Sequence, residues 1–240
     1  MTTARSKPVS ERSWSDRQPV PPLANGDQMT RAEFERRWEA MPQLKKAELV
    51  NGVVYMHAAL RADQHGIPHA RLMGWLMYYL ALTPGLEVGD NTSDRIDEDN
   101  MPQADAYLRI PEKAGGRSRI DEDGYLRGGP ELVAEVSASS TSIDLHQKLH
   151  LYRRAGVNEY IVWRVLDQAI DWFVIREGAY ELQEPDAGIY KSTVFPGLWL
   201  DVQALLEGEI ARVFDVVREG ASGDEHEALL RTLREAIGRA

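Results

Sequence analysis

Apolar positions along the chain change their period from one stretch to the next, and each change marks an element. Phe34 and Trp38 stand four apart behind Thr30-Arg31-Ala32-Glu33. That predicts a short helix ending before Pro42 and opened by a capping box, with Thr30 and Glu33 each satisfying the other's free backbone N–H. Two short β-type runs follow, Ala47-Glu48-Leu49-Val50 and Val53-Val54-Tyr55-Met56, separated by Asn51-Gly52. Both turn positions of a two-residue hairpin need positive φ, so this pair predicts a β-hairpin. Over 68–82, Leu72, Leu76, Tyr79 and Leu80 form a helical stripe, and Thr83-Pro84-Gly85 stops it before a strand at Leu86-Glu87-Val88.

Further on, the period drops to two. Ala104, Ala106, Leu108 and Ile110 share one face, with Asp105, Tyr107 and Arg109 on the other. Residues 111–130 are glycine-rich and read as a long loop. Residues 131–137 form a strand with Leu132, Ala134 and Val136 opposite Val133 and Glu135. An amphipathic helix over 142–154 closes at Gly156, a natural C-terminal cap. Strands at 159–165, 170–175, 180–183 and 190–195 follow, and the chain is mostly helical from 201 onward. There is no internal repeat. Hairpins mixed with crossover helices predict a single α/β or α+β domain.

Composition narrows this picture. The 240 residues include 12 prolines, four of them (Pro8, Pro19, Pro21, Pro22) in a polar N-terminal stretch. Residues 1–28 therefore read as a disordered or loosely attached arm, 29–207 as the domain and 208–240 as a C-terminal helical extension. The arm has no apolar core of a secretory signal, and no run approaches the length of a membrane span, so a cytoplasmic location is expected. Cysteine is absent, which excludes disulfides, thiolate metal sites and a cysteine nucleophile. The formal charge of −10 argues against a surface that grips nucleic acid everywhere, but not against a local basic groove.

Four residues can be assembled into a site. Glu48 lies on the first hairpin strand, Asp105 and Glu135 interrupt apolar β-runs, and Lys148 lies on the helix after Glu135. Carboxylates inside apolar strands are costly without a partner. Two of them converging at one end of a sheet suit Mg²⁺ (or Mn²⁺), and a nearby lysine can activate a water or stabilise phosphoryl charge. Lys148 flanks the buried stripe of Leu145, Leu149 and Tyr152. The plainer alternative is that Asp144 and Lys148 form an i, i+4 pair on a solvated helix face and that Glu135 faces solvent on an edge strand. His65 and His69 bracket a helix start, where they are either site contacts or helix-start polar groups. His146 and His150 read as solvated positions, the acids from Glu87 to Asp99 as a surface loop, and Trp163, Trp172 and Trp199 as core or interface aromatics.

The segment Pro130-Glu-Leu-Val-Ala-Glu135-Val-Ser-Ala-Ser-Ser140-Thr resembles the "PDLVVEVLSPST" signature of the Uma-two restriction-endonuclease family. Asp144, Lys148, Tyr152, Ala155-Gly156-Val157 and Glu159-Tyr160 continue its "D…K…Y…AGV.EY" pattern. Ala47-Glu48-Leu49-Val50-Asn51-Gly52 looks like its "YELIDGE" hairpin, Pro102-Gln103-Ala104-Asp105 like its "QPD" motif, and Val194-Phe195-Pro196-Gly197-Leu198 like its "FPGL" segment. The resemblance spans roughly residues 30 to 207 with every motif in order.

That family is similar to the PD-(D/E)XK nucleases. The resemblance implies a restriction-endonuclease-like mixed sheet flanked by helices, and divalent-metal hydrolysis of DNA. It makes Asp105 and Glu135 the catalytic metal ligands, Glu48 a further ligand or support, and Lys148 a lysine that has migrated from strand to helix. His65 and His69 would contact the site or the phosphate. Two departures stand out: Ala104 where the family has proline, and Ser137 where a strand lysine is expected. The second leaves open a catalytically weak or inactive binding or assembly protein. A metal-dependent hydrolase of another substrate is a third reading. A homodimer is expected for cutting two strands, with 170–195 as its surface.

Overall fold

The computed structural model describes residues 19–56 and 61–238. The first 18 residues of the expected arm therefore lie outside the described residues. From Leu23 on, that stretch is attached: Leu23 is buried, and the Gly26 and Met29 N–H groups donate to Val54 and Gly52 of the hairpin.

Helix α1 (Arg31–Glu39) buries Phe34. Thr30 has the extended backbone of an N-cap, but its side chain makes no capping bond. The expected capping box does not form, because Glu33 turns to Arg36 and Arg37 instead. Strands β1 (Ala47–Val50) and β2 (Val53–Met56) pair as expected. Asn51 and Gly52 both hold positive φ, 51° and 75°, so the turn follows the right-handed twist of its strands. Leu49 exchanges backbone bonds with Met101, which ties the hairpin to the chain just ahead of the central sheet.

A π-helical turn (Ala62–Gly66) leads into α2 (Ile67–Leu82), and β3 (Glu87–Ser93) and β4 (Gln103–Arg109) follow. The expected loop over 111–130 holds a 3-10 turn (Glu112–Ala114) and a small hairpin, β5 (Arg119–Ile120) and β6 (Leu126–Arg127). Its tip closes because Asp121 Oδ1 accepts the Asp123 and Tyr125 N–H groups, a side-chain turn that apolar periodicity does not register. Next come β7 (Leu132–Ser137), a π-helical stretch (Ile143–Lys148), α3 (Leu149–Arg154), β8 (Glu159–Arg164), β9 (Ala169–Arg176) and β10 (Ala179–Leu182). The chain ends with β11 (Ile189–Lys191) paired to β12 (Trp199–Asp201), then α4 (Val202–Glu207), α5 (Ile210–Gly220) and α6 (Asp224–Gly238).

The central sheet is ordered β10-β9-β8-β7-β4-β3. Its pairings are antiparallel except β7 with β8, which the crossover through α3 makes parallel. One face packs Ala106, Leu108, Leu132, Ala134, Ile161 and Trp172 against Leu72, Trp75, Leu76 and Tyr79 of α2, with Leu205, Val213 and Leu233 of the C-terminal helices in the same cluster. The other face packs Tyr107, Val133, Tyr160 and Val162 against Leu151 and Tyr152 of α3 and Val50 of the hairpin. With both faces covered, β4 and β7 are buried along their whole length. Acids at 105 and 135 are therefore interior, and each must find a partner there.

Candidate functional site

The register of β4 with β7 places the two strand acids opposite each other. Tyr107 pairs with Val133 and Ala106 with Ala134, so the next pair along the ladder direction is Asp105 with Glu135. Asp105 Oδ2 accepts the Val136 N–H at 2.9 Å, and Glu135 Oε2 lies 3.4 Å from the Asp105 N. Each carboxylate is thus held by the other strand's backbone. The hairpin brings Glu48 to the same place, where Glu48 Oε1 accepts the Gln103 N–H at 2.7 Å.

Lys148 reaches this group from the crossover. Its Nζ lies 2.8 Å from Glu48 Oε1, 3.0 Å from Glu135 Oε1 and 3.6 Å from Asp144 Oδ1. The Tyr152 hydroxyl donates to Glu135 Oε1 at 3.1 Å. Asp144 is 1% exposed and Lys148 3%, so they are not a pair on a solvated face. Nor is β7 an edge strand, since it lies between β4 and β8. The π-helical winding at Ile143–Lys148 is what sets both side chains inward, and π turns commonly occur where function constrains a helix. Ser137, on Glu135's face, donates to Thr141 Oγ1 at 3.0 Å. The ammonium on Glu135 comes from Lys148.

Asp105 has a second set of partners. Its Oδ1 lies 2.9 Å from Lys46 Nζ and 3.2 Å from His65 Nε2. His69 Nε2 is 2.9 Å from the Asp105 carbonyl oxygen, and the two imidazoles stack with centroids 5.4 Å apart. Both histidines singled out in the sequence thus reach Asp105. Lys46 was missed, although a signal existed: it stands two residues before Glu48, the spacing that puts side chains on one face of a strand.

The electrostatics follow from burial and counting. Burial alone would raise Asp105, but the His65 hydrogen bond and the charges of Lys46, His65 and Lys148 outweigh it and hold this carboxyl well below the usual range. Glu135 goes the other way. Burial raises it, Lys148 opposes, and the charges of Asp105, Asp144 and Glu48 add to the rise. Burial disfavours charge on Lys148, yet the acids around it prevail and its ammonium is retained.

The donors are hard oxygens, as Mg²⁺ or Mn²⁺ prefers. Asp144 Oδ1 is buried and accepts no hydrogen bond, so the cluster has spare acceptor capacity for a cation. Its donor chemistry fits a divalent ion. Among the described residues, however, no three acidic or histidine side chains are already arranged to hold one, because ammonium groups and an imidazole fill the positions beside the carboxylates.

The other marked residues are placed plainly. His146 and His150 are exposed. In the acidic run, Asp97 turns its carboxylate to Asp99 and Asn100 of its own loop. Asp94 departs from the surface-loop expectation: it is 4% exposed, neither oxygen has a hydrogen-bond partner among the described residues, and burial pushes it up to about 8. Trp163 and Trp172 belong to the core. Glu159 is buried at the opposite end of the parallel pair, where it accepts from Ser192 and Thr193 and anchors the loop after β11.

Comparison with known proteins bears on the family and the fold. The model of the Uma2 family, described as "Putative restriction endonuclease", matches residues 31–203. A solved structure from Anabaena variabilis ATCC 29413, described as a putative nuclease belonging to DUF820, is similar with a TM-score of 0.53. The match covers 79% of this chain and 99% of that one at 12% identity, which bears on the fold alone. No curated protein matches the chain.

Proposed function

The chain belongs to the Uma2 family of putative restriction endonucleases, and from that premise we propose that it is a divalent-metal-dependent endonuclease hydrolysing DNA phosphodiester bonds. The observation that carries the reading is the meeting of Asp105, Glu135 and Lys148, from two strands and a crossover helix, inside a covered sheet. Buried ion pairs are poor stabilisers, and apolar residues of similar volume often serve better. A lysine among three buried carboxylates is thus better explained by chemistry than by stability.

In this reading Asp105, Glu135 and Glu48 would hold Mg²⁺ or Mn²⁺, which would supply Lewis acidity for phosphodiester hydrolysis. Lys148 positions the attacking water or offsets charge that develops on the phosphoryl group. Tyr152 fixes Glu135, and the π-helical stretch fixes Lys148. His65 and His69 line the approach to Asp105. The DNA substrate follows from the family, and a homodimer serves to cut both strands. No helix of the described residues is long and apolar enough to cross a membrane, and we place the protein in the cytoplasm, where DNA is found.

The test is plasmid cleavage with Mn²⁺, paired with calorimetric Mn²⁺ binding. Asp105→Ala, Glu135→Ala and Lys148→Ala should each lower the cleavage rate by about a hundredfold or more. Unchanged Mn²⁺ binding in both carboxylate variants would remove the site as assigned. A second reading, a folded but inactive binding or assembly protein, draws on the way the cluster's acids are already paired with the chain's own cations. It would be favoured if the folded wild type cuts neither single- nor double-stranded DNA.

A further inference from the structure

Four carboxylates, those of Glu48, Asp105, Glu135 and Asp144, face two ammonium groups, Lys46 and Lys148. Carboxyl groups thus outnumber ammonium groups two to one in this cluster. The two ammonium groups differ in their freedom to move. Lys148 is 3% exposed and held among Glu48, Glu135 and Asp144, so it is enclosed. The Lys46 side chain is 19% exposed and that of His65 12%, against 5% for Asp105. They therefore stand on the solvent side of Asp105, and anything approaching that carboxylate from water meets them first.

Their supports also allow movement. Lys46 precedes β1 outside regular structure, on a flexible four-carbon stem. Its ammonium has a second acceptor in Asn91 Oδ1 at 3.3 Å, where it can rest without Asp105. His65 sits in the short π-helical turn Ala62–Gly66 ahead of α2. Asp105 is fixed by comparison, because its Oδ2 is tied to the Val136 N–H within the sheet. Exchange at Oδ1 thus moves Lys46 and His65 and leaves the carboxylate in place.

We propose that Lys46, assisted by His65, is an exchangeable counter-charge: a divalent cation displaces it from Asp105 Oδ1, and the freed ammonium then binds a phosphate of the DNA backbone beside the site. This rests on the metal-dependent nuclease reading above and assigns it a positioning residue outside the expected set. One cation is exchanged for another at Asp105, so the carboxylate is never left buried without a partner. The displaced positive charge is delivered at the mouth, where a polyanion arrives. Loading of the ion and capture of the strand are thereby coupled through a single side chain.

Lys46→Met keeps the stem and removes the charge. Calorimetry with Mn²⁺ alone should show binding about tenfold tighter than wild type, since a competing cation is gone. Fluorescence anisotropy with a DNA duplex in Ca²⁺ should show weaker binding, with the slope of log affinity against log salt reduced by about one. Lys46→Arg, which keeps the charge, should not tighten Mn²⁺ and should restore the salt slope. Thermal melting verifies that each variant is folded. A merely structural lysine would not give this opposition between metal and DNA. Wild type that binds Mn²⁺, with Lys46→Met binding it no tighter or with an unchanged salt slope, would overturn the proposal alone. Wild type that binds no Mn²⁺ would overturn the nuclease reading and the proposal with it.

Discussion

At the scale of single residues, the buried acids of this protein fall into distinct classes by what neutralises them. Asp105 and Glu48 are met by ammonium groups, and Glu159 is met by hydroxyls and a backbone N–H. Asp94 has no hydrogen-bond partner among the described residues, and burial moves it from 3.8 up to about 8. A carboxyl that holds its proton more firmly when folded stabilises least when it must ionise. Between pH 4 and pH 8 the folded form binds the extra proton and the unfolded chain does not, so stability falls as pH rises through that window and levels off above it. Asp94→Asn removes the ionisation while keeping the shape. Urea unfolding at pH 5, 7 and 9 should show the variant gaining on wild type as pH rises, and a constant difference across the series would count against the assignment. None of this was legible in the sequence, where Asp94 sat in a run of acids read as a solvated loop. Acid identity is local, whereas burial depends on which strand covers it.

At the scale of elements, the hairpin that carries Glu48 depends on its turn. Gly52 holds φ of 75°, and a Cβ there would lie 3.4 Å from the Met29 carbonyl oxygen, a contact without a clash. The cost of Gly52→Ala is therefore conformational, about 1–2 kcal/mol, read as a lower melting temperature. Glu48 anchors the Gln103 N–H and Lys148, so the same variant should also weaken Mn²⁺ binding under the nuclease reading; full retention of stability would contradict the turn geometry. The hairpin was plain in the sequence because Asn-Gly between β-runs is a local signal. The crossover helix was plain in extent but not in winding. A 3.6-residue period places Lys148 near the buried stripe and leaves Asp144 outside it. The π-helical stretch buries both, and the hydrogen bonds to Asp144 that accompany it come from Tyr160 on β8 and Ser140 in the loop just ahead of the stretch.

Across the whole molecule, the charge of −10 is accompanied by arginines committed to internal ion pairs. Arg95 is taken by Glu35, Asp121 and Asp123 while it lies over the Tyr125 ring, and Arg109 is buried on Glu87 and Ser118. Arg95 and Arg109 are therefore used to brace the fold, which gives Lys46 more weight in meeting a polyanion under the proposal above. The sheet ends at β10, an edge strand whose outer side has no partner strand among the described residues and whose Leu182 is 50% exposed. Exposed edges invite pairing, and β10 lies within the stretch proposed as the dimer surface. Sedimentation should find a dimer that Leu182→Lys disperses. A wild type that stays monomeric across the micromolar range would rule this surface out.

By itself, the sequence determined the order and type of most elements, the hairpin turn, and the membership of Glu48, Asp105, Glu135 and Lys148 in one ordered set of motifs. The elements and the turn follow from periodicity and turn chemistry, which act over a few residues, and the motif set from the resemblance to a known family. Only the tertiary structure decided that β4 and β7 are covered on both faces, that Asp105 and Glu135 stand opposite each other in register, and that Lys46 and His65 close over Asp105. Those outcomes depend on strand order and on contacts between residues far apart in the chain, such as Lys46 with Asp105 and Glu48 with Lys148. Burial then turned two scattered acids into a coupled charge cluster, because a carboxylate removed from water must take its partners from whatever the fold brings within reach.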